Sequence, residues 1–105
     1  MILNINQKGE KYLVNVVCTR LTLASSEELK ERVKPILSTP GVEVTVDLSG
    51  VKFIDSSGVG SLIALAKQAK IAESTFYITN LEDGAKELFT LLRLETVFNL
   101  INSDK

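Results

Sequence analysis

The stretch that decides the fold covers residues 44–62 and reads VTVDLSGVKFIDSSGVGSL. Its first part alternates apolar and polar residues, as a strand with one buried face does. After the apolar pair Phe53-Ile54 come Asp55–Gly58, and Val59 and Leu62 then lie at helical spacing. The stretch therefore predicts a strand, a short loop and a helix that opens on an acid, two hydroxyls and two glycines.

The two serines lie where this helix begins. Backbone N–H groups in a first turn have no intrahelical acceptor, and the helix dipole adds partial positive charge, so an anion is stabilised there. A phosphate on such a serine would be tolerated locally. Ser is also a preferred N-cap residue, which needs no further function to explain it. On these residues alone, both interpretations stay open.

The segment before this stretch predicts a β-hairpin and a first helix. Leu3 and Ile5 alternate with polar neighbours, Gln7–Lys11 supplies a Gly-containing turn, and Tyr12–Cys18 is rich in β-branched residues. Ser25 with Glu28 then matches a capping box, which predicts a helix from about Ser26 to Ser38. Pro35 lies inside this helix and should bend or shorten its last turn.

The segment after it continues the alternation of strands and helices. Thr75–Thr79 predicts a strand, Leu81–Leu92 a third helix, and Val97–Ile101 a short terminal strand or docked extension. We therefore predict an α/β fold: a single domain over residues 1–105, with a mixed sheet of about four or five strands, the N-terminal hairpin and about three or four helices. In such folds strand ends and helix starts form the functional edge.

Composition argues against an enzyme. The 105 residues contain no His and a single Cys, which removes the usual general base, a Ser-His-Asp triad and most ligands for zinc. Twelve Lys and Arg against thirteen Asp and Glu give a net charge of −1, so no basic field favours nucleic acid or an acidic membrane surface. We expect no cofactor or metal, a cytoplasmic location, and Cys18 as a small buried residue in a reducing compartment.

The segment from Val44 to Leu62 resembles the signature segment of STAS domains, specifically those of bacterial anti-sigma factor antagonists, and the order of elements fits nearly the whole chain. The resemblance implies a small domain that binds an anti-sigma factor serine kinase and makes it release its sigma factor. It further implies that the kinase phosphorylates the second serine of the Asp-Ser-Ser-Gly motif, here Ser57, which ends binding. A serine/threonine phosphatase then restores the unphosphorylated form.

The motif residues take expected roles from this resemblance. Ser57 is the expected phosphoacceptor, and Asp55 is expected to hold the loop by accepting hydrogen bonds. Ser56 is expected to cap the helix or orient its neighbour. Gly58 and Gly60 are expected to admit the backbone of the partner.

A further partner contact is implied near the start of the first helix. Antagonists commonly carry a glycine and then an acidic residue there, and the matching positions here are Thr19 and Thr22. This difference supports a second hypothesis, a STAS scaffold in another signalling or lipid-transport complex without phosphate control. A third hypothesis, a nucleotide-binding or hydrolysing protein, lacks the phosphate-loop pattern with its Gly-Lys-Ser/Thr.

Overall fold

The computed structural model describes residues 3–80 and the backbone of residues 99–101. Along the chain its elements are β1 (Leu3–Lys8), β2 (Lys11–Val16), β3 (Arg20–Leu21), α1 (Leu23–Leu37), β4 (Glu43–Asp47), β5 (Phe53–Ile54), α2 (Ser56–Ala72), β6 (Thr75–Thr79) and β7 (Asn99–Ile101). The alternating arrangement of strands and helices confirms the predicted α/β class.

Five of these strands form one mixed sheet in the order β1-β2-β4-β6-β7. β1 and β2 pair antiparallel as the predicted hairpin, and the other neighbours pair parallel. Between Lys8 and Lys11 lies a two-residue loop, in which Gly9 has a φ of +64°, a conformation that glycine adopts without strain. β7 pairs with β6 and confirms a terminal strand within the predicted range Val97–Ile101.

The core lies between one face of this sheet and helices α1 and α2, which also pack against each other. Alternate residues of the central strands are buried on this face, because a parallel strand between two neighbours turns every second side chain inward. Ser26 and Ser61 are small and buried where the helices meet, and the Ser61 hydroxyl donates to the Ser26 carbonyl at 3.2 Å. Within residues 3–80, the largest fully buried side chains include Val14, Leu21, Leu29, Val33, Leu37, Val44, Val46, Leu48, Leu62, Leu65 and Ile78.

The predicted start of α1 is wrong. The helix begins at Leu23, with Thr22 as its N-cap, so Ser25 lies at the third helical position. The Ser25 hydroxyl accepts a hydrogen bond from the Thr22 N–H at 2.9 Å. In the predicted capping box, the Glu28 side chain would have accepted the corresponding hydrogen bond from the Ser25 N–H. The helix starts early because the residues before it are held in β3. It ends at Leu37, two residues after Pro35 and within one residue of the predicted end.

Two other predictions have different outcomes. Cys18 is half-buried instead of fully buried, and its thiol donates to the Arg20 carbonyl at 3.3 Å. The predicted third helix, Leu81–Leu92, lies outside the described residues. Neither α1 nor α2, the helices of the described part, has the length and apolar character to span a membrane.

Candidate functional site

A short two-stranded ribbon fixes the starts of both helices side by side. β3 and β5 pair in parallel, with Arg20 opposite Phe53 and Leu21 opposite Ile54. The Thr19 carbonyl accepts from the N–H groups of Lys52 at 2.8 Å and Phe53 at 3.2 Å, and the Leu21 carbonyl accepts from the Asp55 N–H at 3.2 Å. Because α1 follows β3 and α2 follows β5 almost at once, the ribbon brings the two helix N-termini to one edge of the molecule.

The inner face of the ribbon packs against the first turn of α2. Leu21 and Ile54 are buried there, and so is Gly58. A Cβ atom at Gly58 would lie 2.6 Å from the Leu21 carbonyl oxygen and 2.7 Å from Cγ2 of Ile54, closer than real contacts allow. Gly58 therefore admits the backbone of its own chain, and the expectation that it admits a partner stays a prediction. Gly60 is exposed, with open space where a Cβ would be.

Asp55 is the N-cap of α2. Its backbone is extended, with a φ of −96°, and its Oδ1 accepts a hydrogen bond from the Gly58 N–H at 2.9 Å. The Val59 N–H donates to the Asp55 carbonyl at 3.0 Å, which closes the first helical turn. Asp55 thus accepts a backbone hydrogen bond as predicted. Asp55, and not Ser56, caps this helix, and the alternative role of Ser56 in orienting its neighbour stays a prediction.

The two serines form the first two positions of α2. Ser56 is exposed and Ser57 is half-buried. Both backbone N–H groups lie in the turn that has no intrahelical acceptors. Neither described helix has an acidic residue in its first turn. The carboxylate of the cap Asp55 lies at the N-terminus of α2, where it faces the partial positive charge of the helix dipole.

The outer face of the ribbon carries side chains that sequence analysis missed. The Arg20 guanidinium stacks over the Phe53 ring at 4.4 Å from its centroid, and Phe53 is 42% exposed. Leu23, the first residue of α1, is 63% exposed. Sequence periodicity could not reveal the stacking of Arg20 on Phe53, because each strand of the ribbon has only two residues.

Most of the predicted site residues lie together at this edge. Asp55, Ser56, Ser57, Gly58 and Gly60 all belong to the cap and first turns of α2. Thr22 lies at the start of α1, joined to them through the ribbon, and is half-buried. Within residues 3–80, no three Cys, Asp or Glu side chains are grouped so that they would hold a metal ion.

Comparisons with known proteins agree with this architecture. The family model described as "Mlab, STAS domain" matches residues 4–102. An anti-sigma-factor antagonist (STAS) domain protein from Planctomyces limnophilus has a similar structure, with a TM-score of 0.82, 17% identity, and coverage of 95% of this chain and 88% of that one. The anti-sigma factor antagonist SpoIIAA in its unphosphorylated form is also similar. Its TM-score is 0.79 at 14% identity, and the match covers 95% of this chain and 86% of that one.

SpoIIAA of Bacillus in its phosphorylated form is also similar, with a TM-score of 0.72, 13% identity, and coverage of 95% of this chain and 89% of that one. At these identities the structural likeness concerns the fold. The family model, by contrast, spans nearly the whole sequence. The sheet order, the helix that opens on Asp55-Ser56-Ser57-Gly58 and the match over residues 4–102 together show that this chain belongs to the STAS domain family.

Proposed function

We propose that this protein is an anti-sigma factor antagonist, a binding protein whose unphosphorylated form engages an anti-sigma factor serine kinase in the cytoplasm and frees the sigma factor. The observation that carries the proposal is the position of Ser57 in the first turn of α2, beside the exposed Ser56 and at the edge where both helices start. The structural likeness of the whole protein to SpoIIAA and to the Planctomyces protein supports the same role.

Phosphorylation at Ser57 is the switch in this proposal. The Ser57 Oγ attacks the γ-phosphorus of ATP bound to the kinase, an O–P bond forms, and the bond to the leaving ADP breaks. The kinase supplies the base that takes the hydroxyl proton, and its magnesium stabilises the transferred group. A serine/threonine phosphatase reverses the change by hydrolysing the phosphoserine. The antagonist itself is the substrate, so it needs no catalytic residue.

The helix start tolerates the phosphate in the free protein but not in the complex. The unpaired N–H groups and the dipole of α2 favour a group that carries about −1.5 to −2 charges. In a complex fitted to a neutral hydroxyl, the same group meets repulsion, crowding and desolvation beside the Asp55 carboxylate. A loss of ~3 to 4 kcal/mol lowers affinity by some hundreds-fold, which is enough to dissociate a submicromolar complex.

The test is incubation with each anti-sigma serine kinase of the source genome and ATP, followed by phosphosite mapping and binding measurements. We expect phosphate on Ser57, none on Ser57→Ala, and binding some hundreds-fold weaker for the phosphorylated protein. Ser56→Ala is the matched control, because Ser56 precedes Ser57 and is the more exposed of the two. Phosphate on Ser56, or equal binding by Ser57→Asp and wild type, would contradict the switch.

A second candidate function is that of a STAS interaction subunit in another signalling or transport complex without phosphate control. Two features favour it: Thr22 is uncharged where the resemblance to antagonists implies an acid, and the matching family model is described as "Mlab, STAS domain". Stable binding to a non-kinase partner, unchanged by Ser57→Asp, would distinguish this function from the first.

A further inference from the structure

Strand β1 forms one edge of the five-stranded sheet. Within the described residues it has β2 as its neighbour on one side and no strand on the other. Its six residues pair with β2 one by one, from Leu3 with Val16 to Lys8 with Lys11, so no bulge interrupts this edge. β1 contains no proline, and its one charged residue, Lys8, lies at its end. Bulges, prolines and charges within an edge strand prevent its pairing with another chain, and β1 has none of them before Lys8.

The backbone groups that point away from the sheet belong to alternate residues of β1. The carbonyl of Glu10, just before β2, accepts from the Glu43 N–H at 2.8 Å, so the even-numbered residues there turn their backbone groups toward β4. The odd-numbered residues of β2 therefore bond to β1, since neighbouring residues of a strand direct these groups to opposite sides. Their partners in β1 are the even-numbered residues, which leaves the outward N–H and C=O groups to Leu3, Ile5 and Gln7.

The Ile5 side chain lies at the rim of the core. It packs against the buried core residues but is itself only half-buried, and its partner in β2 is the fully buried Val14. Val14 pairs with Val46 of β4, and Val46 pairs with Ile78 of β6. A row of apolar side chains thus crosses the sheet from Ile78 and ends at Ile5. An apolar neighbour beyond Ile5 would remove the rest of its surface from water.

We propose that β1 pairs with β1 of a second copy of this chain, antiparallel about a two-fold axis that passes through Ile5 perpendicular to the sheet. This register places Ile5 opposite Ile5 and Leu3 opposite Gln7. Every outward N–H and C=O group of these residues then has a partner across the axis. Asn4 lies opposite Asn6, which pairs neutral amides, and the two Lys8 side chains lie at opposite ends of the paired segment.

The apolar row identifies a second copy as the occupant of this edge. In the proposed register the row that ends at Ile5 meets the same row of the other copy, so apolar surface is buried against apolar surface on both sides of the axis. A shift by two residues would place Ile5 opposite Leu3 or Gln7. It would also leave the outward groups of one of the three residues in each copy without a partner in β1.

The dimer leaves the Asp55–Gly58 motif uncovered. The motif follows the carboxyl ends of β4 and β5, whereas β1 is a lateral edge of the sheet. Antiparallel pairing directs β4 of the two copies in opposite directions, so the two motifs lie at opposite ends of the assembly. The inference therefore goes beyond the proposed function and does not depend on it.

The test is sedimentation equilibrium of the unphosphorylated full chain from ~5 µM to ~1 mM. We expect the average mass to rise from 11.5 kDa toward twice that value, with a midpoint on the order of 10 to 100 µM because one strand per copy is a small interface. Gln7→Pro removes an outward N–H without touching the bonds to β2, and should weaken association by ~10-fold or more. Gln7→Ala is the matched control, because it loses the same side-chain bond to the Gly9 carbonyl but keeps the N–H, and should stay within ~2-fold of wild type.

Two further variants test the axis and its independence from the motif. Ile5→Lys places two like charges next to each other on the axis and should also weaken association by ~10-fold or more. Ser57→Asp should associate as wild type does, because Ser57 lies in the first turn of α2 and not at this edge. Circular dichroism of each variant verifies that loss of association is not loss of fold.

Amide hydrogen exchange of the wild type tests the register without any substitution. The Ile5 and Gln7 amides should exchange fast at ~5 µM and slowly at ~1 mM, whereas the Asn6 amide, bonded to β2, should be protected at both concentrations. A monomer over the whole range, or equal association of Gln7→Pro and Gln7→Ala, would overturn the inference. So would association that is lost with Leu13→Lys instead, since Leu13 is 40% exposed on the sheet face away from the helices and its loss would indicate stacking through that face.

Discussion

Gly58 and Gly60 lie two residues apart in α2, yet the space around their Cα atoms differs completely. At Gly58 a Cβ would meet the Leu21 carbonyl at 2.6 Å, and this neighbour is backbone held in a strand. At Gly60 nothing lies within 4 Å of the same atom. The contact between the ribbon and α2 requires a glycine at Gly58. Within the described residues, no packing contact requires one at Gly60.

This contrast predicts opposite effects of the same substitution. Gly58→Ala should lower the free energy of unfolding by ~1 to 3 kcal/mol, because the added methyl group forces the ribbon away from the helix. Gly60→Ala should leave stability unchanged or raise it by up to ~1 kcal/mol, because Ala is the better helix former. Urea denaturation of both variants measures the difference. Equal stability of the two would show that the ribbon moves freely.

At the scale of the element, Asp55 determines where α2 begins. Asp55→Ala removes the acceptor of the Gly58 N–H and should cost ~0.5 to 2 kcal/mol of stability. Asp55→Asn keeps a side-chain oxygen at the same place and should retain most of that amount, since Asn is an equally good N-cap. Urea denaturation again gives the numbers. An Asn variant as unstable as the Ala variant would mean that the negative charge, not the hydrogen bond, stabilises the helix start.

The start of α1 shows why helix boundaries are hard to predict from residue patterns. Ser25 and Glu28 have the spacing of a capping box, but Thr22 and Ser25 have the same spacing and a hydroxyl at each position. Pairing of β3 with β5 holds Leu21 in a strand, so the next residue, Thr22, becomes the cap. The pairing of two strands distant in sequence thus determines which of the two possible capping boxes forms.

At the scale of the whole molecule, stability depends on the core that the described residues form between the sheet and helices α1 and α2. Leu65 is fully buried in that core, and Leu65→Ala should cost ~2 to 5 kcal/mol. A domain of this size has ~5 to 15 kcal/mol in total, so the variant should unfold at much lower denaturant concentration. Ile71→Ala, on the same helix but exposed, should stay within ~0.5 kcal/mol of wild type. A small loss at Leu65 would show that the core relaxes around the cavity.

The sequence by itself determined the hairpin, the strands Glu43–Asp47 and Thr75–Thr79, and the presence of α2 after the motif. These elements follow from apolar periodicity and turn residues, which act between neighbours along the chain. The position of Ser57 in a first helical turn was predictable for the same reason. The residues that resemble those of STAS domains lie within one continuous segment, so the family was recognisable too.

Only the tertiary structure decided that Gly58 faces Leu21 and that Arg20 stacks on Phe53 beside the motif. Both arrangements depend on the pairing of β3 with β5, two strands of two residues each that are joined by a whole helix and a strand. Such short strands carry no periodic signal, and their pairing forms only when the packed core brings both segments to one edge. The surface beside Ser57 is therefore a product of long-range packing, while the serine itself is a product of local sequence.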